Sequence, residues 1–183
     1  VSAADWTRSN NYYFRTEVID EDGYMVFGEE QIVIDEQTCL TPGDASGSYN
    51  TAPKISTGDN GFGVMGIIGF FPGAGDGASD ISNYHLPIFK ITEDYGQTWH
   101  GPSGDPADAC DFYYVPNDVL DDMVANFPVQ TYVDECGGYE YYIVDYWSYY
   151  DFDYKIDADG NPHILMSVIP SDDYYVFWIE GAG

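Results

Sequence analysis

The sequence predicts an all-β chain, and three observations carry the prediction. Strand-like runs recur from end to end, while helical periodicity is almost absent. Asp-Gly and Asn-Gly turns of the hairpin type separate those runs. Aromatic residues make up 17% of the chain, with 18 Tyr, a composition that suits packed strands and argues against disorder.

Taken in order, residues 12–20 and 24–33 flank the turn Asp20-Glu21-Asp22-Gly23 and read as a hairpin. Lys54-Ile55-Ser56 leads through Gly58-Asp59-Asn60-Gly61 into the apolar run 62–71, which suits a strand buried on both faces. A Gly-rich loop (72–80) precedes the strand-like run 85–92. Residues 139–152 mix aromatic and acidic side chains, and 153–156, 162–169 and 174–180 read as three short closing strands. One segment departs from the pattern. Residues 101–138 read as an insertion, and the stretch 115–128 within it is the one credible helix. Asn117 or Asp118 would cap it and Pro128 would end it.

The chain also repeats itself. Lys54-Ile55-Ser56-Thr57-Gly58-Asp59-Asn60-Gly61 and Lys155-Ile156-Asp157-Ala158-Asp159-Gly160-Asn161-Pro162 each place a short strand and an Asp/Asn-Gly turn before an apolar strand. Val18-Ile19-Asp20-Glu21-Asp22-Gly23 is a weaker third copy. A short strand followed by a more apolar one is the pattern of the inner half of a propeller blade. At ~40–50 residues per blade, the chain would hold about three to four blades.

The octet Thr92-Glu93-Asp94-Tyr95-Gly96-Gln97-Thr98-Trp99 resembles the Asp-box, a hairpin that recurs in sialidase-like and sortilin-like β-propellers. Its positions have mechanical roles. Asp94 would accept turn N–H groups, Gly96 would supply positive φ, Thr98 would resume the strand, and Trp99 would wedge its indole beneath the turn. The stretch 156–164, with Asp157, Gly160-Asn161-Pro162 and His163, is similar to a strand–turn–strand of secreted bacterial Asp-box propellers, including those exported by the type IX route. The resemblance extends, by blade pattern, over most of residues 11–180. It implies a partial Asp-box β-propeller over 1–183, completed by more sequence or by a partner chain, in a secreted or cell-surface protein.

Charge narrows the partners. With 32 acidic against 5 basic residues the formal net charge is −27, which repels nucleic acid and anionic membranes. No apolar stretch reaches membrane-spanning length. No signal peptide is visible, and both ends read as cut, as in a piece of a larger protein. Three cysteines are too few for a disulfide scaffold and lack zinc-ligand spacing. Cys110 and Cys136 bracket one segment and would bridge it in an oxidising compartment, leaving Cys39 without an obvious partner.

Candidate chemistry is sparse. Sialidase-type hydrolysis needs an arginine cluster, and the chain holds only Arg8 and Arg15. No pair of carboxylates stands out for another glycoside hydrolysis, and His85, His100 and His163 lack metal-ligand spacing, so no catalytic residue is assigned. No cofactor is expected beyond a structural Ca²⁺. Its ligands would be Asp20 and Asp22, or Asp157 and Asp159, although Asp-Gly turns form hairpins without any cation. The aromatic stretch with Tyr141, Tyr142, Tyr146, Trp147 and Tyr149 is the candidate sugar-binding platform, against the plain alternative of a tyrosine-rich outer strand. The expectation is a non-catalytic surface module that binds glycan or protein. Its alternatives are part of a polysaccharide-active hydrolase or lyase and a structural subunit of a surface appendage.

Overall fold

A computed structural model describes residues 11–13, 16–40, 51–70, 85–126, 131–134, 139–142 and 145–171. It is mostly β. Its centre is a four-stranded antiparallel meander of β5 (Lys54–Thr57), β6 (Gly63–Phe70), β7 (His85–Thr92) and β8 (Tyr113–Tyr114). The remaining strands form two-stranded sheets, and none of the described sheets is closed. These are β1 (Asn11–Tyr13) with β4 (Gln31–Ile34), β2 (Thr16–Ile19) with β3 (Met25–Phe27), β9 (Thr131–Asp134) with β10 (Tyr139–Tyr142), and β11 (Asp145–Ile156) with β12 (Pro162–Ser171).

The apolar run of β6 is buried on both faces, as its composition predicts. Strand alternation sends Met65 and Ile67 to one face, where they meet Ile88 of β7 and Val33 and Ile34 of β4. It sends Val64 and Ile68 to the other, where Phe89, Phe152 and Tyr154 close the core. The long β11–β12 hairpin covers this second face. Gly66 is the point of closest approach: a Cβ there would lie 2.5 Å from the Ile88 carbonyl oxygen and 2.7 Å from the Tyr154 hydroxyl. The bare backbone lets the buried Tyr154 phenol reach across β6 and donate to Ile88 O at 3.3 Å. Burial pushes that phenol well above the usual tyrosine range, so it stays a neutral donor.

Three of the predicted hairpins share one turn geometry. Asp20 N–H donates to Tyr24 O (2.9 Å), Gly58 N–H to Phe62 O (2.8 Å) and Asp157 N–H to Asn161 O (3.1 Å). The glycine at the fourth position takes positive φ in each: 87° at Gly23, 92° at Gly61 and 87° at Gly160. The internal repeat is therefore a repeat of backbone geometry, with Gly58 standing where the other copies have Asp.

Several expectations change. Within the segment 101–138, Tyr113–Tyr114 supplies the fourth strand of the central sheet and β9 pairs with β10. The predicted helix is present as α2 (Asn117–Asn126); it begins on Asn117, one residue earlier than a cap there allows, and Pro128 lies outside the described residues. Leu120 of α2 packs with Leu86 and Tyr146. The run 139–152 splits between β10 and β11, and 153–156 continues β11 in place of a separate strand. Residues 174–180 lie outside the described residues.

The disulfide is also a correction. Cys110 bonds to Cys39, with Cα atoms 5.1 Å apart, and so is not available to Cys136, which itself lies outside the described residues. The cause is a single helical turn that periodicity does not reveal, α1 (Glu36–Cys39). Asp35 Oδ1 accepts the Thr38 N–H at 3.0 Å and caps it. That turn carries Cys39 from the end of β4 to the loop that holds Cys110.

Candidate functional site

The Thr92–Trp99 turn is built as its residue types require. Ile91 and His100 exchange both backbone hydrogen bonds, each 3.0 Å, and close the loop. Inside it Asp94 Oδ1 accepts from Gln97 N–H (2.8 Å), Thr98 N–H (2.9 Å) and the Thr92 hydroxyl (2.8 Å), while Oδ2 accepts the Thr98 hydroxyl (2.7 Å). Burial works against the charge on Asp94. The donors from Thr98, Thr92 and Gln97 outweigh it and hold the carboxyl below its ordinary value. Gly96 takes φ 77°, and Tyr13 packs so closely that a Cβ there would lie 2.6 Å from its hydroxyl. Tyr95 also adopts positive φ (62°), a strained state for a tyrosine that the sequence does not announce.

Trp99 turns inward and is only 5% exposed. Its ring meets Tyr13 edge-on at 5.3 Å and joins the cluster with Met65, Ile88 and Phe112. The indole Nε1–H finds no hydrogen-bond partner among the described residues, an unusual state for a buried donor that costs about 1–3 kcal/mol.

Beside Trp99 lies the second unusual group, Lys90. Alternation along β7 places it on the face of Leu86 and Ile88, and it is 2% exposed. The loop 101–112 roofs it. Asp111 Oδ2 accepts from the Ser103 hydroxyl (2.6 Å) and N–H (2.9 Å), Gly101 lies against the Asp111 carbonyl, and the disulfide ties Cys110 to α1. Lys90 Nζ donates to Asp108 O at 2.9 Å and sits 5.3 Å from the Phe112 ring centroid. Desolvation lowers the Lys90 pKa, and the nearby charges of Asp111 and Asp108 partly oppose the shift.

Lys90 and Trp99 line one cleft of about 360 Å³ with Gln31, Ile32, Asp35, Gln97, Thr98 and the loop residues Pro106, Ala107 and Ala109. An ammonium has three donors, and Asp108 O accounts for one. The cleft lining thus brings together the Lys90 ammonium, the amides of Gln31 and Gln97, and the Asp35 carboxylate beside Ile32, Trp99 and Pro106. That arrangement suits a small, oxygen-rich ligand or an ordered water cluster. A lysine at an inward position after Leu86 and Ile88 is the sequence signal for this site.

Of the candidate aromatic platform, the side chains of Tyr146 and Tyr149 are described. Tyr146 is 6% exposed and packs with Leu86 and Leu120, so it offers no open face; burial raises its pKa. Tyr149 is half-buried and meets Tyr150 edge-on at 5.3 Å. Tyr141 and Tyr142 lie on β10 and Trp147 on β11.

The acidic turns spend their oxygens on the backbone. Asp20 Oδ1 accepts the N–H groups of Asp22 (3.0 Å) and Tyr24 (2.8 Å), and Asp157 Oδ1 those of Asp159 (2.9 Å) and Asn161 (2.8 Å). Asp157 Oδ2 lies 3.0 Å from His163 Nε2. That contact first, and the Asn161 donors second, hold the Asp157 carboxyl far below its ordinary value. Asp22 and Asp159 are exposed, and among the described residues no group of three acidic, His or Cys side chains is arranged to hold a metal ion. The turns of β5–β6 and β11–β12 touch through Asn60 Nδ2, which donates to Ala158 O at 2.6 Å, beside a shallow recess of about 390 Å³.

No helix among the described residues is long and apolar enough to cross a membrane. The disulfide is compatible with an oxidising, extracellular setting. Comparisons with family models, curated proteins and solved structures find no match to this chain.

Proposed function

We propose that the chain is part of an Asp-box β-propeller and serves as a non-catalytic, secreted or cell-surface module that binds glycan or protein. Support for the architecture comes from the Asp94-centred turn and from a four-stranded meander sandwiched on both faces, as a blade is between its neighbours. The observation that carries the binding function is the cleft lined by Lys90, Trp99, Gln31 and Gln97, whose ammonium and amide groups beside an aromatic ring suit an oxygen-rich occupant. A sugar residue, with hydroxyls that both donate and accept, matches that mixture of groups.

The test is a glycan array probed with the labelled intact chain, alongside Gln31→Ala and Lys90→Met variants. Binding of a glycan by the wild type, weakened about tenfold or more in both variants while their urea midpoints stay close to wild type, is the expected result. Glycan binding that neither variant alters would remove the cleft from the proposal. No binding to any glycan would leave protein as the ligand class.

A further inference from the structure

We infer that the β2–β3 hairpin is a docking surface for a cationic partner protein, which adds an extended segment along the outer edge of β3. The inference is independent of the Lys90 cleft. Among the described residues, five of the eleven exposed large hydrophobic side chains lie on or beside this hairpin: Ile19, Tyr24, Met25, Val26 and Phe27. Exposed apolar residues scattered singly are ordinary, whereas a contiguous group on one ribbon marks a surface that is covered in use. All three residues of β3 are exposed, at 63%, 45% and 55%, so neither face of this strand is packed. Among the described residues β3 pairs only with β2, and no described strand occupies its other edge. A free two-stranded ribbon is marginal by itself, and an added strand supplies both main-chain pairing and apolar cover.

Charge selects the occupant. Asp20, Glu21, Asp22, Glu29 and Glu30 are exposed around the apolar group, and residues 16–40 contain no Lys, Arg or His. A second copy would bring two such rims together, each on a chain of net charge −27. An anionic bilayer is repelled for the same reason. A segment that alternates Lys or Arg with aliphatic residues satisfies both features, the aliphatics meeting Met25 and Phe27 and the cations meeting the carboxylates.

The experiment is fluorescence anisotropy on the full chain at about 0.15 M salt, where weak long-range attraction is largely screened. The probes are labelled short peptides that alternate Lys with Val, Lys with Ser, and Glu with Val. The Lys-Val peptide should bind about tenfold or more tightly than Lys-Ser, and Glu-Val should not bind. The Met25→Ser/Phe27→Ser double variant should erase the preference for Lys-Val. Glu29→Gln/Glu30→Gln should weaken binding several-fold and flatten its salt dependence. These positions are exposed, so an unchanged urea midpoint serves as the folding control. Equal affinity for Lys-Val and Lys-Ser, or a preference that survives the double variant, overturns the inference. So does sedimentation showing a dimer that Met25→Ser/Phe27→Ser dissociates, which would assign the surface to a second copy. Glycan binding at the cleft is read separately and is unaffected by these variants.

Discussion

Asp94 concentrates the structure of its turn in one carboxylate, which receives four hydrogen bonds from Thr92, Gln97 and Thr98. Asp94→Ala should therefore cost about 2 kcal/mol in urea unfolding. Asp94→Asn keeps an oxygen for the two backbone donors and should lose about 1 kcal/mol or less. Asp157 makes a complementary prediction about pH. Its folded carboxyl titrates below its unfolded one, so the unfolded chain takes up the proton first as pH falls. The stabilisation is complete above the ordinary carboxylate range and is lost as pH drops through the folded value. His163→Ala removes the largest cause of the shift, and the Asp157 carboxyl, followed by NMR, should then titrate at a distinctly higher pH. An unchanged midpoint would show that the Asn161 and Asp159 donors alone set it.

Among the elements, the loop 101–112 has the largest consequence for its length. It roofs Lys90, supplies Asp108 and Asp111, and is tied to α1 by a bond between residues 71 apart in sequence. In the loop-entropy account a closure of that size contributes about 4 kcal/mol, so a Cys39→Ser/Cys110→Ser variant should lose stability of that order. Alkylation of the denatured, unreduced chain, followed by peptide mapping, should label Cys136 and leave Cys39 and Cys110 unmodified. Label on Cys39 would contradict the bond. The turn elements were legible because Asp-Gly and Asn-Gly fix backbone geometry locally. Cys39 was not. Its placement depends on the one-turn helix α1 and on the loop that carries Cys110, 71 residues further along the chain, coming to lie against it.

At the level of the whole molecule, a net charge of −27 on 183 residues opposes compaction. Thermal unfolding should therefore move to higher temperature as NaCl rises from tens to hundreds of millimolar, over which the Debye length falls below about 10 Å. A salt-independent midpoint would show that the carboxylates are already neutralised in pairs or by bound cations. The charge is borne on a fold whose central sheet is covered on both faces, so its hydrophobic core is a double layer around β6.

Composition and turn chemistry by themselves determined that this chain is all-β, where its hairpins turn, that a helix lies within residues 115–128, and that Asp94 organises the 92–99 loop. Each of these is fixed by residues within a few positions of one another, where propensity and local hydrogen bonding decide. Tertiary structure alone decided that Tyr146 is core, that Cys110 bonds to Cys39, and that Lys90 and Trp99 share a cleft. Those outcomes depend on which strand faces meet, and burial is a property of both partners in a contact. A sequence displays only one partner at a time, so a lysine on an apolar strand face acquires its meaning when the loop that buries it is in place.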